Sequence, residues 1–264
     1  MPVYSGSPAE TGSVGVGIAV EPRYELCYGS PVGSQPTKTA AKVLESYGLS
    51  PDAFKAFSPL PWGAGYAVSG SSAVAAGLAA SYLLGRSVHE GLRRAHEVEV
   101  LDRTGLGDVL AISCGVGVVV RTRPGAPGIG SATCIYMPRS MVLVSVEVGS
   151  MSTSDLLASL SDNYLSKARE FLDRLSGSLT LDAFLEGVKE FSDSLGQLES
   201  LLGREVAARL KGFRGVVSYY VKKKAAILIV ERGTASDLVD LARELVPQAN
   251  IRLLEPSREG PAVR

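Results

Sequence analysis

The sequence predicts an α+β fold in two lobes, and three observations carry that prediction. The chain has 264 residues, of which 45% are hydrophobic and 20% charged, enough to build two separate cores. Short alternating or apolar runs are mixed with amphipathic stretches in no regular βαβ order, the pattern of segregated strands and helices. Between Pro61 and Ser81 a glycine-rich loop feeds a helix of small residues, which gives the first half its punctuation. The boundary is placed at Gly149, so that residues 1–149 form one lobe and 150–264 the other.

Taken in order, Val14, Val16, Ile18 and Val20 alternate with small residues, and Tyr24 to Cys27 is a second short run; together they read as an antiparallel pair. Thr37 to Tyr47 puts Ala40, Val43, Leu44 and Tyr47 on one helical face and is stopped by Gly48. Gly63, Gly65 and Gly70 would each cost about 1 kcal/mol inside a helix, so the next helix is predicted to begin at Ser71 or Ser72, both good N-caps, and to end at Gly85. Ser87-Val-His-Glu90 is a capping box that opens a helix reaching about Val100. Asp108 to Ser113 is a short helix, Val116 to Val120 a strand, Arg123 to Gly130 a rigid loop, and Val142 to Val148 a strand. Beyond the boundary, helices are predicted over Asp155–Leu175, Leu181–Leu195, Leu198–Leu210 and Ser236–Leu245. The second-lobe strands are Val216–Tyr220, Ala226–Val230 and Ile251–Leu254, with the basic turn Lys222-Lys-Lys224 between the first two.

Composition narrows the function classes. Lys and Arg total 27 against 27 Asp and Glu, a balance that argues against nucleic acid or an anionic membrane as the main partner. The longest apolar run, Ala225 to Val230, is far too short to span a bilayer, and no basic region precedes Arg23, so a cytoplasmic location is expected. Cys27, Cys114 and Cys134 have no CxxC spacing and are expected to be buried small hydrophobes, not a disulfide framework or zinc site. Two asparagines and three glutamines fit a thermophile's avoidance of labile amides.

The candidate chemistry lies between Pro61 and Asp108. A glycine loop running into a helix N-terminus offers backbone N–H groups and a positive dipole end to an anion such as phosphate; a tight turn that only permits close packing is the other reading. His96 and Glu99, three apart on one helix, project from nearly the same face, just before the glycine-broken turn that carries Asp108. Two carboxylates near a phosphate loop can divide the labour, one holding Mg²⁺ and one orienting or deprotonating a hydroxyl. Alternatively Glu99 lies on a solvated face, Asp108 caps its helix and His96 is an ordinary, partly buried histidine.

The segments Gly63-Ala-Gly-Tyr-Ala-Val-Ser-Gly-Ser-Ser-Ala-Val, Ala95-His-Glu-Val-Glu-Val-Leu-Asp-Arg-Thr-Gly-Leu-Gly-Asp108 and Arg123-Pro-Gly-Ala-Pro-Gly-Ile-Gly130 together resemble the archaeal pantoate kinases, a family of the GHMP kinase superfamily. The resemblance is dense from Pro61 to Gly130 and thin beyond. It implies the two-lobed GHMP kinase fold, with an N-terminal lobe like domain 2 of ribosomal protein S5 and a ferredoxin-like C-terminal lobe. It also implies ATP-dependent, Mg²⁺-assisted phosphorylation of pantoate in coenzyme A synthesis, by a homodimer. On this resemblance Gly63, Gly65, Ser69, Gly70, Ser71 and Ser72 cradle the ATP phosphates, Ser69 and Glu99 hold the metal, Asp108 is the catalytic aspartate, and His96, Arg121 and Thr153 contact pantoate. Arg123 is the alternative to Arg121. The chain departs from the family's usual Ser-Gly-Ala-Gly in reading Ser69-Gly-Ser-Ser72, and the family's first strand, upstream of the region matching Ser7 to Gly17, is expected to be missing.

Overall fold

The computed structural model describes residues 1–264. The chain divides into two compact units. The first comprises Met1–Trp62, Tyr66–Cys134 and Ser257–Arg264; the second comprises Gly63–Gly65 and Ile135–Pro256. The division after Cys134 lies upstream of the expected boundary at Gly149, because the strand between them is the centre of the second unit's sheet.

The first unit contains β1 (Pro2–Val3), β2 (Gly12–Ser13), β3 (Gly15–Ile18), β4 (Val20–Glu21), β5 (Glu25–Tyr28), α1 (Lys38–Glu45), β6 (Phe54–Phe57), α2 (Val68–Leu83), α3 (Val88–Leu101), α4 (Asp108–Cys114), β7 (Val118–Arg123) and β8 (Ser131–Ile135). The two early strands do not pair with each other as expected. β3 lies antiparallel to β7 with Val16 opposite Val120, and β5 lies antiparallel to β6 with Cys27 opposite Lys55. Both runs do form strands, but the partner of each is 26 or more residues away, where no local turn signal points. Thr37 caps α1 by accepting from Ala40 N, and Ser87 caps α3 by accepting from Glu90 N, as their sequences dictate. The core joins α1, α2 and α3 through Ala40, Val43, Leu44, Ala73, Val74, Leu92 and Ala95, with Phe54 of β6 against them.

α2 corrects the expected start. It begins at Val68 after Ala67, which adopts a left-handed φ of 52°, so Ser71 and Ser72 lie inside the helix and Gly70 is a helical residue. The reason is packing. A Cβ on Gly70 would lie 2.7 Å from the Asp108 Cβ, so only glycine lets α4 approach α2 here. The cysteines are a second correction: Cys114 at the end of α4 and Cys134 on β8 are joined by a disulfide, and only Cys27 is a free thiol. Their separation of 20 residues in sequence carries no CxxC signal, and the pair is formed by the fold.

The second unit contains β9 (Met141–Glu147), α5 (Thr153–Ala158), α6 (Asp162–Ser178), α7 (Leu181–Ser194), α8 (Gln197–Leu202), α9 (Arg204–Lys211), β10 (Val216–Lys222), β11 (Ala225–Glu231), α10 (Ala235–Leu245) and β12 (Asn250–Pro256). Neighbouring strands run in the order β10-β11-β9-β12, and the pairs of β11 with β10 and β9, and of β12 with β9, are all antiparallel. Helices fill the β9–β10 and β11–β12 connections, so chain order and sheet order together are ferredoxin-like. Two predicted long helices are each broken in two. Ser161 caps α6 by accepting from Tyr164 N, which sets α6 apart from α5, and Gly203 at φ 86° separates α8 from α9. The core lies under the sheet, with Val142, Val144, Val146, Leu228 and Val230 against Leu198, Leu210, Leu238 and Ala242.

Candidate active site

In the first unit, α2, α3 and α4 bring three of the predicted side chains to one place. Ser69, in the first turn of α2, and Glu99, near the end of α3, are 8% and 1% exposed, and the Ser69 hydroxyl donates to Glu99 Oε1. The same carboxylate oxygen accepts from Thr104 Oγ1 at 3.2 Å, and Thr39 Oγ1 of α1 lies 3.4 Å from Ser69 Oγ. A buried carboxylate without such donors would be costly; here two hydroxyls serve it, and Thr39 backs one of them. Gly105 packs directly on it, since a Cβ there would lie 2.4 Å from Glu99 Oε2. A Cβ on Gly70 would lie 3.1 Å from Glu99 Oε2 as well as 2.7 Å from Asp108 Cβ, so both acids border the same glycine of α2. The solvated-face reading of Glu99 is thereby excluded.

Asp108 is the first residue of α4 and is half-buried; Gly107 before it supplies no side-chain cap. A carboxylate in a helix's first turn is favoured by the helix dipole. Arg121 on β7 donates from Nε to Ser13 O at 3.4 Å and from Nη2 to Ser13 Oγ at 3.3 Å. Burial pulls its guanidinium below the ordinary value, and the negative charge of Asp108 acts in the opposite direction. Arg121 therefore faces Asp108, whereas Arg123 two residues on is exposed. This favours Arg121 over its alternative. Gly107 fits only because it lacks a side chain, as a Cβ would lie 2.3 Å from Ser13 Oγ and 2.7 Å from Arg121 Nε.

His96 is 1% exposed and its Nε2 lies 2.8 Å from Thr11 O. Burial lowers its pKa, opposed by hydrogen bonds to the Thr11 and Pro8 carbonyls and by Glu97. Its ring is held, as a neutral donor, one turn before Glu99. The remaining predicted residues are placed differently. Ser72 is buried, donates to Ser69 O at 2.8 Å and shares a 2.7 Å hydrogen bond with Thr37, and Ser71 turns back to Ala67 O and Val68 O. Both hydroxyls are therefore used within the fold, and what α2 offers a ligand is the backbone N–H groups of its first turn. Gly63, Gly65 and Thr153 belong to the second unit.

Sequence reasoning missed Thr39, Thr104 and Gly105. Thr104-Gly105 directly follows the helix that carries Glu99, so a hydroxyl and a glycine one turn past a buried acid were the available signal; Thr39 had none. A separate cavity of about 430 Å³, lined by His89, Glu90, Arg93 and Arg94 of α3 and by Pro127–Ile129, holds none of the candidate residues. Its arginines are paired with Glu97.

No cluster of three or more His, Cys, Asp or Glu side chains occurs. The donor set at Glu99 is nonetheless a fit for Mg²⁺, which is commonly held by one or two carboxylates together with ligand phosphates and needs hard oxygen donors. No helix is long and apolar enough to cross a membrane.

Residues 35–116, which hold Ser69, His96, Glu99 and Asp108, match the family model of the GHMP kinases N terminal domain. The chain is 30% identical over 179 residues to a pantoate kinase of Thermococcus kodakarensis, covering 60% of this chain and 58% of that protein. It is 26% identical over 193 residues to a pantoate kinase of Methanospirillum hungatei, covering 66% of each. The match thus spans less than two thirds of the length of the Thermococcus relative. Among solved structures, a phosphotransferase related to the CoA biosynthesis pathway superposes with a TM-score of 0.77 at 22% identity, over 99% of this chain and 93% of that one. A homoserine kinase from Cytophaga hutchinsonii superposes with a TM-score of 0.63 at 14% identity, over 94% and 90%. The chain thus has the fold of the GHMP kinases, and its residues 35–116 resemble their N-terminal domain.

Proposed function

We propose that the chain is an ATP-dependent kinase that phosphorylates the terminal hydroxyl of pantoate to give 4-phosphopantoate, a step of coenzyme A synthesis. The observation that carries this reading is the buried Ser69–Glu99–Thr104 cluster beside Asp108 on a shared glycine, inside the segment that matches the GHMP kinases. The two pantoate kinases to which the chain is similar suggest the acceptor. Phosphoryl transfer asks chiefly for positioning and charge neutralisation, which this set of groups can provide without a covalent nucleophile.

In this reading the N–H groups in the first turn of α2 take phosphate oxygens of ATP. Ser69 and Glu99 would hold Mg²⁺, which supplies charge neutralisation on the transferred phosphoryl group when bound. Asp108 accepts the proton of the acceptor hydroxyl, whose oxygen bonds to the γ-phosphorus as the bond to the bridging oxygen of ADP breaks. Arg121, which faces Asp108, offers a fork to the acceptor's carboxylate, and the neutral His96 ring is a further contact of the acceptor. The assembly proposed is a cytoplasmic homodimer.

A coupled ADP-release assay over pantoate, homoserine and mevalonate tests the reading. Pantoate should stimulate turnover well above the other two; stimulation by another hydroxy acid instead moves the substrate, and nucleotide binding without any phosphorylated product sinks the kinase assignment. In the same assay Asp108→Ala should lower kcat by about 10²–10⁴-fold, the usual worth of a positioned general base, with an unchanged circular dichroism spectrum. An Asp108→Ala variant with near wild-type turnover would remove Asp108 from the chemistry.

A further inference from the structure

We propose that Lys223 is a positioning residue that, through Thr153, turns a corner of the second unit into a holder for an anionic oxygen of a ligand. The inference rests on the kinase reading for the identity of the ligands, ATP and pantoate; the resemblance singles out Thr153, Gly63 and Gly65 in this corner, but not Lys223.

The turn Lys222-Lys-Lys224 joins β10 to β11, where Lys222 pairs with Ala225, and it is tied down by Val148 N donating to Lys224 O at 3.0 Å. At its tip Lys223 has a φ of 54°, in the left-handed region that side-chain-bearing residues rarely adopt. A glycine would relieve that backbone, yet a lysine stands there, half-buried, with its Nζ donating to Thr153 Oγ1 at 3.2 Å. The bond does two things. It fixes the head of a side chain that otherwise has many rotamers, and it uses the Thr153 hydroxyl as an acceptor, which leaves the hydroxyl's own proton available to donate. A donor backed by an ammonium suits an acceptor that carries negative charge.

The surroundings favour the same guest. Met151 N donates to Gly63 O at 3.0 Å, which brings the Gly63–Gly65 segment alongside the chain leading into Thr153. Gly65 lies on Lys222, since a Cβ there would be 2.9 Å from Lys222 Cγ and 3.0 Å from Lys222 O, and Gly63 lies on Ser150, 2.9 Å from its Cβ by the same measure. Both glycines have positive φ, at 77° and 115°. The lysine turn, the Thr153 hydroxyl and a stretch of bare glycine backbone are therefore packed together within one unit. An ATP phosphate and the pantoate carboxylate share the chemistry that would be held there.

The test uses the full chain and four proteins: wild type, Lys223→Gly, Lys223→Arg and Thr153→Val, with the Lys223→Gly/Thr153→Val double variant added. Glycine accepts the left-handed backbone, so Lys223→Gly should fold and melt no lower than wild type. Losing the charged donor should raise one KM by about tenfold or more while kcat stays within about threefold. A rise confined to ATP identifies a phosphate, and one confined to pantoate identifies the carboxylate. Lys223→Arg should restore the affected KM, and the double variant should add little to either single change, the signature of two residues acting as one. KM values for both substrates within about twofold of wild type in Lys223→Gly, or single effects that multiply in the double variant, overturn the proposal. If the wild type turns over no pantoate, the kinase reading fails separately. Calorimetric titration of wild type and Lys223→Gly with ATP and with pantoate then decides for Lys223: weaker binding to the variant upholds it, and equal or absent binding to both overturns it.

Discussion

His96 shows how far a single side chain's partners dictate its state. A backbone carbonyl can only accept, so the nitrogen 2.8 Å from Thr11 O must be the protonated one, and the ring is the neutral Nε2–H tautomer. Burial keeps it so by holding its pKa below the ordinary value of about 6.5, against the pull of the Thr11 and Pro8 carbonyls and of Glu97. The sign follows from linkage: between the two pKa values the unfolded chain binds a proton that the folded chain refuses. His96 therefore contributes its full stability above about pH 6.5 and loses it as the pH falls through the folded value. The melting temperature should drop between pH 7.5 and 5.5, and His96→Gln should flatten that drop, since the only other histidine, His89, is exposed. A variant with an undiminished slope would place the proton uptake elsewhere. The helical spacing of His96 and Glu99 was legible in the sequence. Their partners were not, because Thr11 lies 85 residues from His96 and the Ser69 hydroxyl 30 from Glu99, distances over which spacing carries no information.

Among the elements, the approach of α2 to α3 is set by glycine. A Cβ on Gly77 would lie 2.3 Å from Gly91 O, and one on Gly91 would lie 2.3 Å from Gly77 O, so the helices touch backbone to backbone. Helix propensity alone favours Gly77→Ala by about 1 kcal/mol, but overpacking a tight contact costs about 1–3 kcal/mol and wins. Gly177, near the end of α6, has no atom within 4 Å of a Cβ built on it, so Gly177→Ala should show the propensity gain undiluted. Urea denaturation should give opposite signs for the two substitutions; two gains would mean that the α2–α3 contact yields easily. The same physics limits what the sequence tells of α2. Propensity counts Gly70 as a helix breaker and starts the helix at Ser71, whereas the fold uses Gly70 inside the helix to admit Asp108. Capped helices such as α1 and α3 were legible because their signals are local. The breaks after α5 and α8 hang on one serine cap and one positive-φ glycine inside otherwise continuous amphipathic patterns, and periodicity passes over them.

At the scale of the whole chain, the first unit is assembled from pieces far apart in sequence. The chain leaves it after Cys134 and returns at Ser257. There Ser257 N donates to Ala19 O at 2.8 Å, Gly117 N donates to Ser257 O at 2.9 Å, and Arg23 donates to Gly260 O and Glu259 O, both at 2.9 Å. The last eight residues thus bind the end of β3 to the approach to β7, the strand that carries Arg121. The Cys114–Cys134 disulfide closes the same unit by tying the end of α4, whose first residue is Asp108, to β8. Each backbone hydrogen bond is worth about 1 kcal/mol net, and closing a loop of this length with a disulfide about 3 kcal/mol. Truncation after Pro256 should therefore cost the first unit about 2–4 kcal/mol, and reduction of the disulfide a further, separate amount. Amide exchange read by residue resolves the two units. Protection at Val118–Val120 should fall on truncation and fall again on reduction, while β9 and β11, whose ladder lies wholly within the second unit, keep theirs. Equal loss in both sheets would mean that the tail stabilises the chain as one cooperative body. Unchanged protection in β7 would mean that the hydrogen bonds of Ser257 and Arg23 contribute nothing to the unit they close.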